Sequence, residues 1–138
     1  MRKIILIVDD EKEMHELIEE YLSSINAEFY HAYNGREAVE IYKKLLSENK
    51  RPDVVIMDLN LSGSASINDL MKQFEGEEMD GVEASKEIMK MDSHATIIGF
   101  TAYAHLEWGK RLREIGAKAV FGREIGFDGF AKKVAGML

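Results

Sequence analysis

Cysteine is absent from the 138 residues, and proline occurs once, at Pro52. Without cysteine there is no disulfide framework, no thiolate zinc or iron–sulfur site and no thiol nucleophile, and the chain suits a reducing compartment. Basic charge is scarce as well: 18 Lys and Arg stand against 25 Asp and Glu, a net charge of −7. A small acidic chain has no electrostatic grip on DNA or on an anionic bilayer, so direct nucleic-acid binding and a membrane role are not expected. Long hydrophobic runs are missing too. Ile4–Val8 is apolar, but it stops at Asp9-Asp10, too short for a signal peptide or a membrane span. No phosphate-cradling glycine loop, dinucleotide fingerprint or nucleophile elbow occurs, which counts against NTP hydrolysis, dinucleotide binding and serine hydrolase chemistry. The expectation is one cytoplasmic domain, large enough to bury a core unaided.

What is present is an alternation of two kinds of segment. Ile4–Val8 and Val54–Met57 are continuous apolar runs, the mark of strands buried on both faces. Phe29–Tyr33, Thr96–Phe100 and Ala119–Phe121 read as three more strands. Between them lie helical patterns. Met14, Leu17, Ile18, Tyr21 and Leu22 outline the first, with Asp10 as its expected N-cap. Ala38, Val39, Ile41, Tyr42, Leu45 and Leu46 outline the second, after the turn signal Asn34-Gly35. Val82–Met91 and Leu106–Ile115 follow, the latter closed by Gly116, and Phe127–Leu138 ends the chain with Phe127, Phe130, Val134 and Met137 inward. Five strands alternating with crossover helices predict an α/β fold: a doubly wound (βα)5 domain whose parallel sheet has the flavodoxin-like order 2-1-3-4-5.

In such a sheet, ligands sit beyond the carboxyl ends of the strands where the order reverses. Asp9-Asp10 follows the first strand and Asp58 the third, so an order of 2-1-3-4-5 makes the three carboxylates converge. Charges about 4 Å apart at an effective dielectric of about 20 repel by roughly 4 kcal/mol per pair, so the cluster must hold a proton or a cation. Three hard oxygen donors beside open solvent suit Mg2+. Thr101 ends the fourth strand with a hydroxyl and Arg123 follows the fifth with a cation, a set that fits phosphoryl transfer to a carboxylate. A plainer reading also stands at this point: Asp9-Asp10 as helix capping and Asp58 as a turn residue.

The chain resembles the receiver domain of two-component response regulators over nearly its whole length. The resemblance rests on Ile5–Glu11, Pro52–Leu59, Asp80–Glu83, Phe100-Thr101-Ala102 and Gly116-Ala117, and on their order and placement at strand ends. It implies that Asp58 is the phosphoacceptor, supplied by a histidine kinase or phosphotransfer protein. It implies that Asp9, Asp10 and Asp58 hold Mg2+ with the backbone carbonyl of Asn60, and that Thr101 is the switch hydroxyl. It further implies a phosphoprotein of a phosphorelay without a turnover substrate. Its switched surface, on the fourth helix, fifth strand and fifth helix, would serve an output protein that the sequence does not name.

Three departures set this chain apart. Arg123 stands in place of the usual lysine, with Glu124 after it where proline is common; Arg keeps the charge but not the reach or the point charge. Glu124 offers Arg123 a neighbouring partner away from the site. Val120 stands where many receivers carry an aromatic ring that moves with the threonine. A segment at about 62–79 is inserted before Asp80-Gly81. Within it Ser66–Asp69 resembles a capping start, and Ile67, Leu70, Met71 and Phe74 keep helical spacing, predicting a short amphipathic helix ahead of the acidic turn Glu75–Glu78. Its apolar face either packs on the parent domain or gates Asp58. His15, His31, His94 and His105 share no metal-ligand spacing and read as solvent or edge residues, while Tyr103 and Trp108 fall by the fourth helix as exposed aromatics or partner anchors. These departures keep an alternative open, a pseudo-receiver acting as a phosphorylation-independent interaction module. A flavin or nucleotide binder on the same architecture lacks the first-loop phosphate cradle.

Overall fold

Ile5, Leu6, Ile7 and Val8 are all sealed from solvent, which one strand achieves only when both faces of its sheet are covered. The structure is a computed structural model and describes residues 2–58, 81–101 and 107–138, without the side chains of residues 107–109. Among these, β1 (Lys3–Val8), α1 (Lys12–Tyr21), β2 (Ala27–Ala32), α2 (Gly35–Ser47), β3 (Val54–Met57) and α3 (Gly81–Met91) come first. Then follow β4 (Ile97–Thr101), α4 (Glu107–Ile115), β5 (Ala119–Gly122), a 3-10 turn at Arg123–Ile125 and α5 (Gly126–Met137). The strands form one parallel sheet in the order β2-β1-β3-β4-β5, the expected doubly wound arrangement. The predicted inserted helix, Asn60, Tyr103 and His105 lie outside the described residues.

The alternation of side chains along β1 divides the interior in two. Leu6 and Val8 face the layer of α2, α3 and α4, where Tyr42, Ile88 and Leu112 complete a sealed cluster. Ile5 and Ile7 face the layer of α1 and α5, where Ile18, Phe130 and Val134 pack beneath Phe100. Phe100 and Phe130 stack with centroids 4.0 Å apart.

The turns show which local signals decided the chain's path. Asn34, read from the sequence as half of a turn signal, is the N-cap of α2, its Oδ1 accepting the Glu37 N–H at 2.8 Å. Gly116 ends α4 with φ +124°, a conformation that costs glycine little. Asp10, by contrast, is not the cap of α1. The helix begins one residue later than expected, Glu11 is the N-cap and makes no side-chain cap bond, and Asp9 Oδ1 takes the Glu11 N–H at 2.9 Å instead.

At the opposite edge of the sheet, the buried Asp92 ties three segments together. Tyr42 on α2 donates its hydroxyl to Asp92 Oδ2 at 2.7 Å, Arg51 reaches the same oxygen at 2.7 Å, and the His94 N–H donates to Oδ1. Burial alone would raise the Asp92 pKa, but the Tyr42 hydroxyl, the His94 N–H and Arg51 outweigh it and hold the carboxyl below its usual value. A carboxylate held down in the folded state adds stability above its unfolded pKa, and that stability is lost as pH falls through the folded value. Tyr42→Phe is therefore expected to cost about 2 kcal/mol near neutral pH, the scale of one hydrogen bond to a charge. The loss should shrink on acidification below about pH 4, as urea denaturation across that range would show.

Candidate functional site

The β1–β3 register pairs Val8 with Met57, so the residues that follow each strand emerge side by side. Asp58 N–H bonds to the Val8 carbonyl at 3.0 Å, and Asp9 N–H bonds to Ala32 at 3.1 Å. This is why two apolar runs that each end in an acid deliver their carboxylates to one place. Asp9, Asp10 and Asp58 each offer an oxygen to a cluster whose atoms lie within 4.8 Å of one another. Asp9 and Asp58 are buried and Asp10 is half-buried. Three acidic oxygens this close are a hard, anionic donor set suited to a divalent cation.

Electrostatics follow from that crowding. Burial, and then the charge of Asp58, push the Asp9 carboxyl up to about 8, against the opposing pull of the Glu11 N–H and Arg123. Burial also raises Asp10. Both shifts favour the protonated acids, the form that crowding of negative charge selects.

Arg123 places a cationic side chain against these acids. Its Nη2 lies 3.3 Å from Asp9 Oδ2 and 3.8 Å from Asp58 Oδ1. Nε donates to the Phe100 carbonyl at 3.4 Å, the guanidinium carbon sits 5.1 Å over the Phe100 ring, and Nη1 touches Met14 Sδ at 3.5 Å. Arg123 thus reaches over β4 to the acidic cluster, the side of the sheet on which its place after the fifth strand puts it. Its long planar head spans both carboxylates from the start of the 3-10 turn.

Thr101 is buried at the end of β4, paired with Gly122 of β5, and so stands on the same edge. Val120 is buried on β5, where a methyl on Gly99 would come within 3.1 Å of it. No ring occupies that position.

The sequence reading missed His15. Expected at an edge or in solvent, it is 2 % exposed, with Nε2 2.8 Å from the Asp9 carbonyl oxygen and Nδ1 2.7 Å from His31 Nδ1. Burial lowers its pKa. The signal was its spacing: the buried face of α1 runs through Met14, His15, Ile18 and Leu22, while Leu17 and Tyr21, expected inside, are 37 % and 46 % exposed. His94 is exposed, as expected.

Comparison with known proteins agrees with this architecture. Residues 5–135 match the family described as the response regulator receiver domain. The chain is 29 % identical over 128 residues to sporulation initiation phosphotransferase F of Bacillus subtilis (strain 168), covering 93 % of this chain and 87 % of that protein. It is 38 % identical over 99 residues to the chemotaxis protein CheY of Thermotoga maritima, covering 71 % of this chain and 66 % of that one. The crystal structure of a CheY-like response regulator receiver domain protein from Methanospirillum hungatei JF-1 shares the fold, with a TM-score of 0.76 at 21 % identity over 99 % of this chain and 93 % of that chain. Strand order, register and family match converge: the chain belongs to the response regulator receiver domains of two-component signalling.

Proposed function

We propose that this receiver accepts a phosphoryl group on Asp58 from the phosphohistidine of a histidine kinase or phosphotransfer protein. The observation that carries the reading is the meeting of Asp9, Asp10 and Asp58 under the Arg123 guanidinium at one strand edge. An Asp58 carboxylate oxygen bonds to phosphorus as the P–N bond breaks. The imidazole leaves with its electron pair and an acyl phosphate remains. The donor set fits Mg2+: Asp9, Asp10 and Asp58 would hold it, joined by the Asn60 carbonyl, and the ion would neutralise charge that gathers on the phosphoryl oxygens. A cation at this site would favour the ionised form of Asp9, whose carboxyl burial and the charge of Asp58 raise. Arg123 screens the phosphoryl oxygens from its place beside Asp58, in the role a lysine has elsewhere in the family. Thr101, at the end of β4, offers its hydroxyl to the group once transferred.

The modified site would bias the surface of α4, β5 and α5 toward an output protein, within one cytoplasmic receiver domain spanning 1–138 and carrying the insertion at about 62–79. Among the described residues no helix is long and apolar enough to cross a membrane. One observation favours a second reading, the pseudo-receiver: the buried Val120 has no ring to couple with Thr101. The two readings part in one experiment. Acetyl phosphate with Mg2+ should yield a hydroxylamine-labile adduct and shift the amide resonances of α4, β5 and α5. Absence of both supports the interaction module.

A further inference from the structure

A buried histidine with both ring nitrogens engaged lies directly beneath the acidic cluster. Besides the Arg123 contact to its Oδ2, three bonds hold Asp9 to its surroundings. Its N–H donates to the Ala32 carbonyl at 3.1 Å, its Oδ1 accepts the Glu11 N–H at 2.9 Å, and its carbonyl oxygen faces His15 Nε2 at 2.8 Å. The first belongs to the sheet and the second to the head of α1. The third comes from a side chain, so it can be changed without touching the backbone.

The protonation pattern follows from the partners. A carbonyl only accepts, so His15 Nε2 carries the hydrogen, and in the neutral ring Nδ1 is then a bare acceptor. His31 Nδ1, 2.7 Å away, must donate to it. His31 Nε2 in turn lies 3.5 Å from Glu19 Oε2 on the exposed side of α1. Tyr33 packs against the His15 ring with centroids 4.4 Å apart and fixes its plane. A side chain that merely filled space here would need no such orientation. A leucine would fill the volume and leave the Asp9 carbonyl without its donor.

We infer that His15 is a positioning residue for the acidic site: it holds the Asp9–Asp10 peptide through Nε2, and His31 fixes the ring that does so. The bond lies one peptide away from two of the three clustered carboxylates, Asp9 and Asp10, and sets where both stand relative to Asp58. Groups that orient ligands in this way commonly change metal affinity by 10- to 100-fold when removed. The inference rests on the reading of the cluster as a Mg2+ site.

Calorimetric titration with magnesium chloride, on the wild-type chain and on His15→Leu, His15→Gln and His31→Phe, tests it. His15→Leu should weaken Mg2+ binding about tenfold, His15→Gln, whose amide N–H can stand near Nε2, by less than about threefold, and His31→Phe by an intermediate factor. Rescue by glutamine separates orientation from mere packing. Nitrogen resonances of the His15 ring in the metal-free protein should show the hydrogen on Nε2. A folded His15→Leu with unchanged Mg2+ affinity, or a hydrogen on Nδ1, overturns the role. If His15→Leu does not fold, unchanged affinity in His31→Phe overturns it instead. Wild-type chain that binds no Mg2+ brings down the metal reading and the role together, whereas wild-type binding matched by every variant brings down the role alone.

Discussion

Asp9→Asn is expected to stabilise the protein in EDTA, by about 2 kcal/mol at a pH near 8. Two charges no more than 4.8 Å apart repel by roughly 3 to 4 kcal/mol or more at an effective dielectric of about 20, and the substitution also forfeits part of the attraction to Arg123. The pH dependence has a definite sign. A carboxyl whose folded pKa is raised favours folding while protonated, and that contribution is lost as pH climbs from the unfolded value of 3.8 to the folded value of about 8. Asparagine does not titrate, so the advantage of the variant grows across that interval and levels off above it. Magnesium should reverse the order. Wild type gains stability by mass action as the ion binds only the folded state, while the variant, missing one of three carboxylates, gains little. Urea denaturation in EDTA and in Mg2+ at two pH values measures all of this. A variant less stable than wild type in EDTA near pH 8 would mean that Asp9 is chiefly a structural partner of Arg123.

Arg123→Ala has the opposite expected sign in the same buffer. Removing one partner of a buried ion pair costs 3–5 kcal/mol in general, roughly, but the Arg123 side chain is 30 % exposed and solvent repays part, so about 2 kcal/mol is expected here. The loss comprises the Asp9 contact at 3.3 Å, the bond to the Phe100 carbonyl and the cover over the Phe100 ring. With its resident cation gone the acidic cluster should hold Mg2+ more tightly, by roughly tenfold for about 1.4 kcal/mol of relieved competition. The phosphoryl group should suffer instead. A donor aimed at developing charge is commonly worth about 100-fold in rate, so labelling by acetyl phosphate should slow by that order. Arg123→Lys, which keeps a charge but loses the fork, should fall between. Unchanged labelling in Arg123→Ala would remove Arg123 from the chemistry and leave it as a plug over Asp9.

The sheet and the acidic cluster were legible because few signals had to agree. Ile4–Val8 and Val54–Met57 are apolar without a break and each ends in aspartate, and parallel pairing of Val8 with Met57 does the rest. Two things escaped. The buried face of α1 is turned so that His15 lies inside, while Tyr21 lies outside and stacks on Phe127 at 5.5 Å. An apolar stripe with one polar member fits either rotation, and only the position of α5 chooses. Arg123 was placed with the carboxylates by its position after the fifth strand; the exact seat of its head, over the Phe100 ring and 3.3 Å from Asp9, follows carboxylates brought from distant strands and has no local signal. Asp10 likewise looked like a cap because Asp commonly is one, yet α1 starts too late to use it.

The central claim is that these carboxylates receive a phosphoryl group at Asp58. Intact-protein mass after incubation with acetyl phosphate, with Mg2+ or with EDTA, tests it most directly when wild type is run beside Asp58→Asn. Wild type is expected to carry a single phosphoryl adduct, present with Mg2+, lost in EDTA and absent from the variant under both conditions. An unlabelled wild-type chain in Mg2+, or an Asp58→Asn chain that labels as readily as wild type, would contradict it.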